Sequence, residues 1–197
     1  MKREDHREAS VARERALFVD TVGTEISAIW RNVTRLGGQC VAALYLWNEP
    51  RSMDDLSEEL GRSKSNVFAN LRALESLGIV RRVRVAGSAR DHFELAAEYP
   101  DVLVVAFVRH LGRTLHDKSN ELSAIAARLR VASSGPGPEE AAVLAARVAR
   151  LGETYATVAE LIDGLLPEPG KPTDLLSILG RITPALVQRA VRLLRHS

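Results

Sequence analysis

A mostly α-helical fold carrying one short basic β-hairpin is predicted by three observations. The chain of 197 residues is 46% hydrophobic but only 5% aromatic, and its high Ala, Leu, Arg and Glu content favours helix. Its apolar residues recur mainly every three or four positions. Between Ser63 and Val85, SKSNVFANLRALESLGIVRRVRV, a capped helical pattern runs into a stretch in which Val80, Val83 and Val85 are interleaved with Arg81, Arg82 and Arg84. A short helix, a tight turn, a second helix and a β-hairpin in that order make a winged helix-turn-helix. The predicted organisation is an N-terminal dimerisation helix over residues 1–35, a winged helix-turn-helix DNA-binding domain over 36–97, and a connecting helix with a C-terminal helical dimerisation and effector region over 98–197.

The elements follow in order. From Val11 to about Arg35, Val11, Leu17, Phe18, Val22, Ile26, Ile29, Trp30 and Val33 form one apolar face, a long amphipathic helix that needs a covering partner. Leu36-Gly37-Gly38 interrupts the pattern, and Gln39 to Trp47 (QCVAALYLW) resumes as an almost wholly apolar helix, buried on most sides. Asn48, Glu49 and Pro50 end it. Ser52 opens SMDDLSEELG, with Asp55 three residues on as in a capping box and acidic residues in the first turn, where the helix dipole favours them. Leu56 and Leu60 face inward, and Gly61 makes the turn.

Ser63 then caps the recognition helix through its hydroxyl, because the first turn of a helix leaves backbone N–H groups unpartnered. Val67, Leu71, Leu74 and Leu77 give its buried stripe, and Gly78 stops it. Val80 to Val85, the turn Ala86 to Ala89, and Arg90 to Leu95 form the wing. A second long helical region spans about Tyr99 to Val131, with Pro100 suited to its first turn and Gly112 a candidate interruption. Ser133 to Pro138 is a short linker, and Glu139 to Leu166 is helical again. Pro167 to Pro172 ends that helix; Thr173 caps a last segment to about Arg195, divided near Pro184.

Overall charge says little, with 27 basic and 25 acidic residues. Its distribution says more. From Arg62 to Glu94 seven basic residues (Arg62, Lys64, Arg72, Arg81, Arg82, Arg84, Arg90) meet three acidic ones (Glu75, Asp91, Glu94), a local excess of +4, the kind of patch that phosphate contact requires. With Val67, Leu71 and Leu74 inward, Ser63, Lys64, Ser65, Asn66, Phe68, Ala69 and Arg72 fall on or beside the outer face. Lys64 suits a phosphate or guanine edge, Asn66 an adenine, and small Ala69 a close approach or a thymine methyl. Arg72, Arg82, Arg84 and Arg90 suit phosphate, with Arg81 on the opposite side of its strand. The bland reading is a solvated helix face, and Asn70 suits local structure as well as DNA.

Other residues carry weaker signals. Trp30, Tyr45 and Trp47 are candidates for lining an effector pocket, with core packing as the competing reading. Cys40, the one cysteine, excludes an intramolecular disulfide framework and fits a reducing compartment; a buried structural thiol is favoured over a redox sensor, because no cation adjoins it in sequence. His110 and His116 lie six residues apart, on different helix faces, so no metal site is expected. No Gly-rich phosphate loop, serine elbow or His and carboxylate cluster points to catalysis, so neither an enzyme nor a cofactor is expected. The charged N-terminus is unlike a signal peptide, and no apolar run reaches the roughly 18 to 20 residues of a membrane helix. A cytoplasmic protein without membrane association is the expectation.

The residues SKSNVFANLRALESLGIVRRVRVAGSARDHFE, preceded by SMDDLSEELGR and LYLWNEP, resemble the MarR-type transcriptional regulators, and within them the GbsR-like branch. The resemblance is densest over about residues 36 to 110. It implies a dimeric, ligand-responsive regulator with a long helix after the wing and dimerising helices contributed from the chain's ends. Where such proteins often carry two adjacent basic residues before the wing aspartate, this chain has Ala89 and Arg90 before Asp91, which leaves the wing tip to Arg90.

The expectation is thus a homodimer on a pseudo-palindromic double-stranded DNA operator, a repressor whose affinity responds to a small-molecule effector. A winged-helix protein-interaction module and a constitutive DNA-binding protein without effector are the alternatives.

Overall fold

The computed structural model describes residues 2–30, 32–132, 138–166, 175–184 and 188. The linker at 133–137 and the segments 167–174, 185–187 and 189–197 lie outside them, as do the expected Thr173 cap and most of the last helical segment. The chain divides into two compact units, Met1–Val102 and Leu103–Ser197.

In the first unit the order is α1 (Lys2–Ile29), α2 (Arg35–Trp47), β1 (Arg51–Ser52), α3 (Met53–Glu59), α4 (Lys64–Leu77), β2 (Val80–Arg84) and β3 (Asp91–Leu95). The three strands form an antiparallel sheet in the order β1-β3-β2, with Arg82 opposite Phe93 and Arg84 opposite Asp91 in the hairpin. This is a winged helix-turn-helix, in a mostly helical chain.

Local chemistry sets the helix ends. The Ser52 hydroxyl accepts the Asp55 N–H while the Asp55 carboxylate accepts the Ser52 N–H, a complete capping box at the start of α3. Gly61 turns the chain at φ +59°, where L side chains are strained. Ser63 then accepts the Asn66 N–H to cap α4, which ends on left-handed Gly78. Leu56, Val67, Leu71, Leu74, Ile79, Val80 and Phe93 are fully buried and make the core beneath α4.

The first long helix ends earlier than its apolar pattern predicts. It stops at Ile29, and α2 begins at Arg35, so Leu36-Gly37-Gly38 does not interrupt the helical pattern. Thr34 accepts the Gly37 N–H and caps α2, so the two glycines lie inside that helix. They serve packing: Val22, Ile26, Trp30 and Val33 are buried where α1 meets α2. A Cβ on Gly38 would stand within 3 Å of the Gly23 backbone.

The second unit contains most of α5 (Asp101–Ala132), then α6 (Pro138–Asp163) and α7 (Leu175–Gly180). Gly112 does not interrupt α5. A Cβ there would meet an Asp163 oxygen at 2.9 Å, so this glycine permits close approach of α6. Farther along, the buried Ser119 hydroxyl donates to the Gly152 carbonyl at 2.9 Å. Among the described residues no helix is long and apolar enough to cross a membrane.

Candidate nucleic-acid interface

The α4 cap and buried stripe orient the helix so that Ser63, Lys64, Ser65, Asn66, Phe68, Ala69 and Arg72 are all exposed. Val67 and Asn70 between them point inward. Asn70 serves local structure: its Oδ1 accepts the Thr34 hydroxyl at 2.5 Å and its amide donates to the Asn66 carbonyl at 2.8 Å. One side chain thereby ties α4 to the start of α2. Phe68 exposes an aromatic edge above a cavity of about 250 Å³ shared with Met53, Arg90 and the buried Phe93.

The wing brings its own cations to bear. Arg82, Arg84 and Arg90 are exposed, while Arg81 on the neighbouring register pairs with Glu94 at 2.7 Å. Arg82 lies over the Phe93 ring, its guanidinium carbon 5.5 Å from the centroid, a position where cation and ring quadrupole attract.

Nearly every candidate phosphate contact already has an acidic partner. Asp54 pairs with Lys64 at 2.8 Å and with Arg90 at 3.1 Å. Glu75 pairs with Arg72 at 3.2 Å and stands 3.6 Å from Arg82. Asp91 pairs with Arg82 at 2.9 Å and lies 3.5 Å from Arg84. Five cations thus share three carboxylates, and the face keeps a positive excess. The hydrogen bond from the Lys64 ammonium holds the Asp54 carboxyl below its ordinary value of 3.8, with the charges of Lys64 and Arg90 adding to the effect and Asp55 opposing it. These exposed pairs are individually weak, so a phosphate can replace the carboxylate at modest cost.

Two contributors escape a reading of the sequence. Asp54 sits in the first turn of α3 and meets its partners only through tertiary folding. Arg62, counted in the basic patch but not among the contact candidates, is exposed just before the α4 cap, and its side chain has no carboxylate partner among the described residues.

The three aromatic candidates for an effector pocket occupy separate environments. Trp30 is buried. Trp47 lies between the guanidinium groups of Arg15 and Arg51, 4.3 and 3.4 Å from its centroid, and its indole donates to Glu59 at 2.5 Å. Tyr45 stacks on Phe18, with ring centroids 5.9 Å apart, and meets Tyr99 in a tilted contact at 5.0 Å. It lines an open groove of about 730 Å³ with Asn48, Glu49, Glu94 and Tyr99; neither Trp30 nor Trp47 borders that groove. Burial, then the negative charge of Glu25, raises the Tyr99 phenol above its ordinary value.

Cys40 is fully buried, and burial together with the charge of Glu59 pushes its thiol up to about 12. His116 pairs with Asp163 at 2.7 Å. No group of three or more metal-ligating side chains occurs among the described residues.

Two of the similar proteins are described as transcriptional regulators. A family model described as HVO_A0114 matches residues 42–95, from within α2 to the end of β3. The HTH-type transcriptional regulator MmpR5 of Mycobacterium tuberculosis (strain ATCC 25618 / H37Rv) is 32% identical over 79 residues, 40% of this chain and 47% of that protein. The chain therefore matches about half the length of that curated relative. A solved structure described as a transcriptional regulator superposes with a TM-score of 0.53 over 76% of this chain and 93% of its own, at 23% identity. That likeness establishes the fold.

Proposed function

We propose that the chain is a sequence-specific, DNA-binding transcriptional regulator of the MarR type, GbsR-like branch, acting as a homodimer on a pseudo-palindromic operator. The observation that carries this reading is the exposed face of α4 flanked by the wing: Lys64, Asn66, Phe68, Ala69 and Arg72 on the helix, with Arg82, Arg84 and Arg90 beside them. Asn66 and Lys64 would read base edges; Arg72 and the wing arginines would clamp phosphate. The 32% identity to a transcriptional regulator over 79 residues supports the same role.

Dimerisation is assigned to the helices outside the DNA-binding region, residues 1–35 and 98–197. Val11, Leu17 and Ile29 leave α1 as exposed apolar side chains, as do Val143, Leu144 and Leu151 on α6, and a second copy would cover such surfaces. Two wings and two recognition helices would then meet half-sites about one DNA turn apart. A small-molecule signal acting through the groove beside Tyr45 would favour one spacing of the two modules, and repression would follow from operator occupancy.

Selection from a random duplex pool, followed by salt-titrated binding to the selected site, tests this reading. Enrichment of an inverted repeat, and loss of affinity on Lys64→Ala and Arg84→Ala, are the expected results. Failure of any sequence to enrich contradicts it.

A further inference from the structure

We propose that Asp54 is a specificity-determining counter-ion, one carboxylate that holds Lys64 of the recognition helix and Arg90 of the wing together and must be displaced before either binds phosphate. The proposal rests on the DNA-binding reading above. Its geometry is a three-element bridge: Asp54 in the first turn of α3, Lys64 at the first position of α4 at 2.8 Å, and Arg90 at the wing tip at 3.1 Å. Met53, Phe68 and Phe93 give an apolar wall to the cavity that Asp54 and Arg90 rim. The two cations remain the more exposed members, at 61% and 67% against 31% for the carboxylate. DNA can thus reach Lys64 and Arg90 from outside, and phosphate takes the place of Asp54 on them.

Nonspecific binding draws almost all its free energy from phosphate contacts and counter-ion release. When phosphate replaces Asp54, one ion pair is exchanged for another, and the freed carboxylate repels the incoming strand and takes up a cation again. The net gain from Lys64 and Arg90 on an arbitrary sequence is therefore small. On a cognate site, base-edge hydrogen bonds from the same helix add a gain that arbitrary sequence lacks. Asp54 thereby lowers background binding more than operator binding, while keeping helix and wing tip in one orientation.

The test compares wild type, Asp54→Asn, Asp54→Glu and Glu58→Gln in the full chain. Glu58→Gln is the control, because Glu58 is exposed on the same helix and forms no ion pair among the described residues. Elution from a heparin column and affinity for a random-sequence duplex and for the duplex selected by wild type are read across a salt titration. Asp54→Asn should bind the random duplex roughly two- to tenfold tighter than wild type at low salt, as expected for two released exposed ion pairs. It should elute later from heparin and steepen the salt dependence by up to about one unit. Its ratio of selected to random affinity should fall. Asp54→Glu should stay near wild type, and Glu58→Gln should move all readouts less. Asp54→Asn indistinguishable from Glu58→Gln overturns the proposal. A wild type that selects no sequence sinks the DNA-binding reading instead, and the heparin shift then still reports whether Asp54 masks the two cations.

Discussion

Gly38 of α2 lies so close to Gly23 of α1 that a Cβ on Gly38 would stand 2.7 Å from the Gly23 carbonyl oxygen and 2.8 Å from its Cα. The neighbour is backbone and has no rotamer by which to move aside. In an open helix, Gly→Ala stabilises by up to about 1 kcal/mol; here overpacking costs about 1–3 kcal/mol. Gly38→Ala should therefore lower the denaturation midpoint, the loss being the overpacking cost less that propensity gain. A midpoint at or above wild type contradicts this account of the α1–α2 junction.

Asn70 joins α4 to the Thr34 cap through two hydrogen bonds while almost fully buried. Asn70→Ala removes both, at a cost of about 0.5–1.5 kcal/mol for each hydrogen bond, because the exposed Thr34 hydroxyl can turn to water. Urea unfolding measures it. Because the side chain points away from the exposed face, affinity for DNA at temperatures well below the melt should be preserved.

The capping box at α3 gives a pH signature. The Ser52 hydroxyl and N–H lower the Asp55 carboxyl below its ordinary value of 3.8, against the desolvation that raises it, with Arg51 and His92 helping. A carboxyl depressed in the folded state contributes stability above its unfolded value, and that contribution is lost as pH falls through the folded one. The stability gap between wild type and Asp55→Asn should be full from neutral pH down to about 4 and should close as the solution is acidified further. A gap independent of pH would argue against the ionised cap. Ser52→Ala should cost about 1 kcal/mol at neutral pH.

Cys40 should be inert in the folded protein. With its thiol pushed up to about 12 by burial, then by Glu59, and with no exposed surface, it is protonated and shielded throughout the neutral range. Iodoacetamide should label it only as fast as the chain unfolds, tracked by mass spectrometry across a denaturant series. Rapid labelling of native protein contradicts the burial.

Much of the winged helix-turn-helix is legible in the sequence because its signals are local. Ser52, Ser63 and Gly61 punctuate two helices, and Val67, Leu71 and Leu74 repeat at helical spacing, so both helices, their order and the buried stripe follow from residues close together in sequence. The alternation of Val and Arg likewise places the wing. The break between α1 and α2 was misplaced because Gly37 and Gly38 read as helix breakers, whereas Gly38 is small to admit Gly23 and Thr34 supplies the cap. Gly112 misleads for the same reason: it makes room for Asp163. The ion pairs of Asp54 were hidden because Lys64 and Arg90 reach it only after three separate elements have packed. Tyr45 and Trp47, two positions apart, part company because successive helical residues face different neighbours.

The central claim is that the outer face of α4 and the wing bind DNA, and a salt-titrated gel shift of the protein on its own upstream region tests it most directly. The account predicts binding that weakens steeply with salt, about one unit of slope per phosphate contact, with Lys64→Ala and Arg84→Ala each weakening the complex and flattening that slope. No complex at low salt, or a complex indifferent to both substitutions, would contradict it.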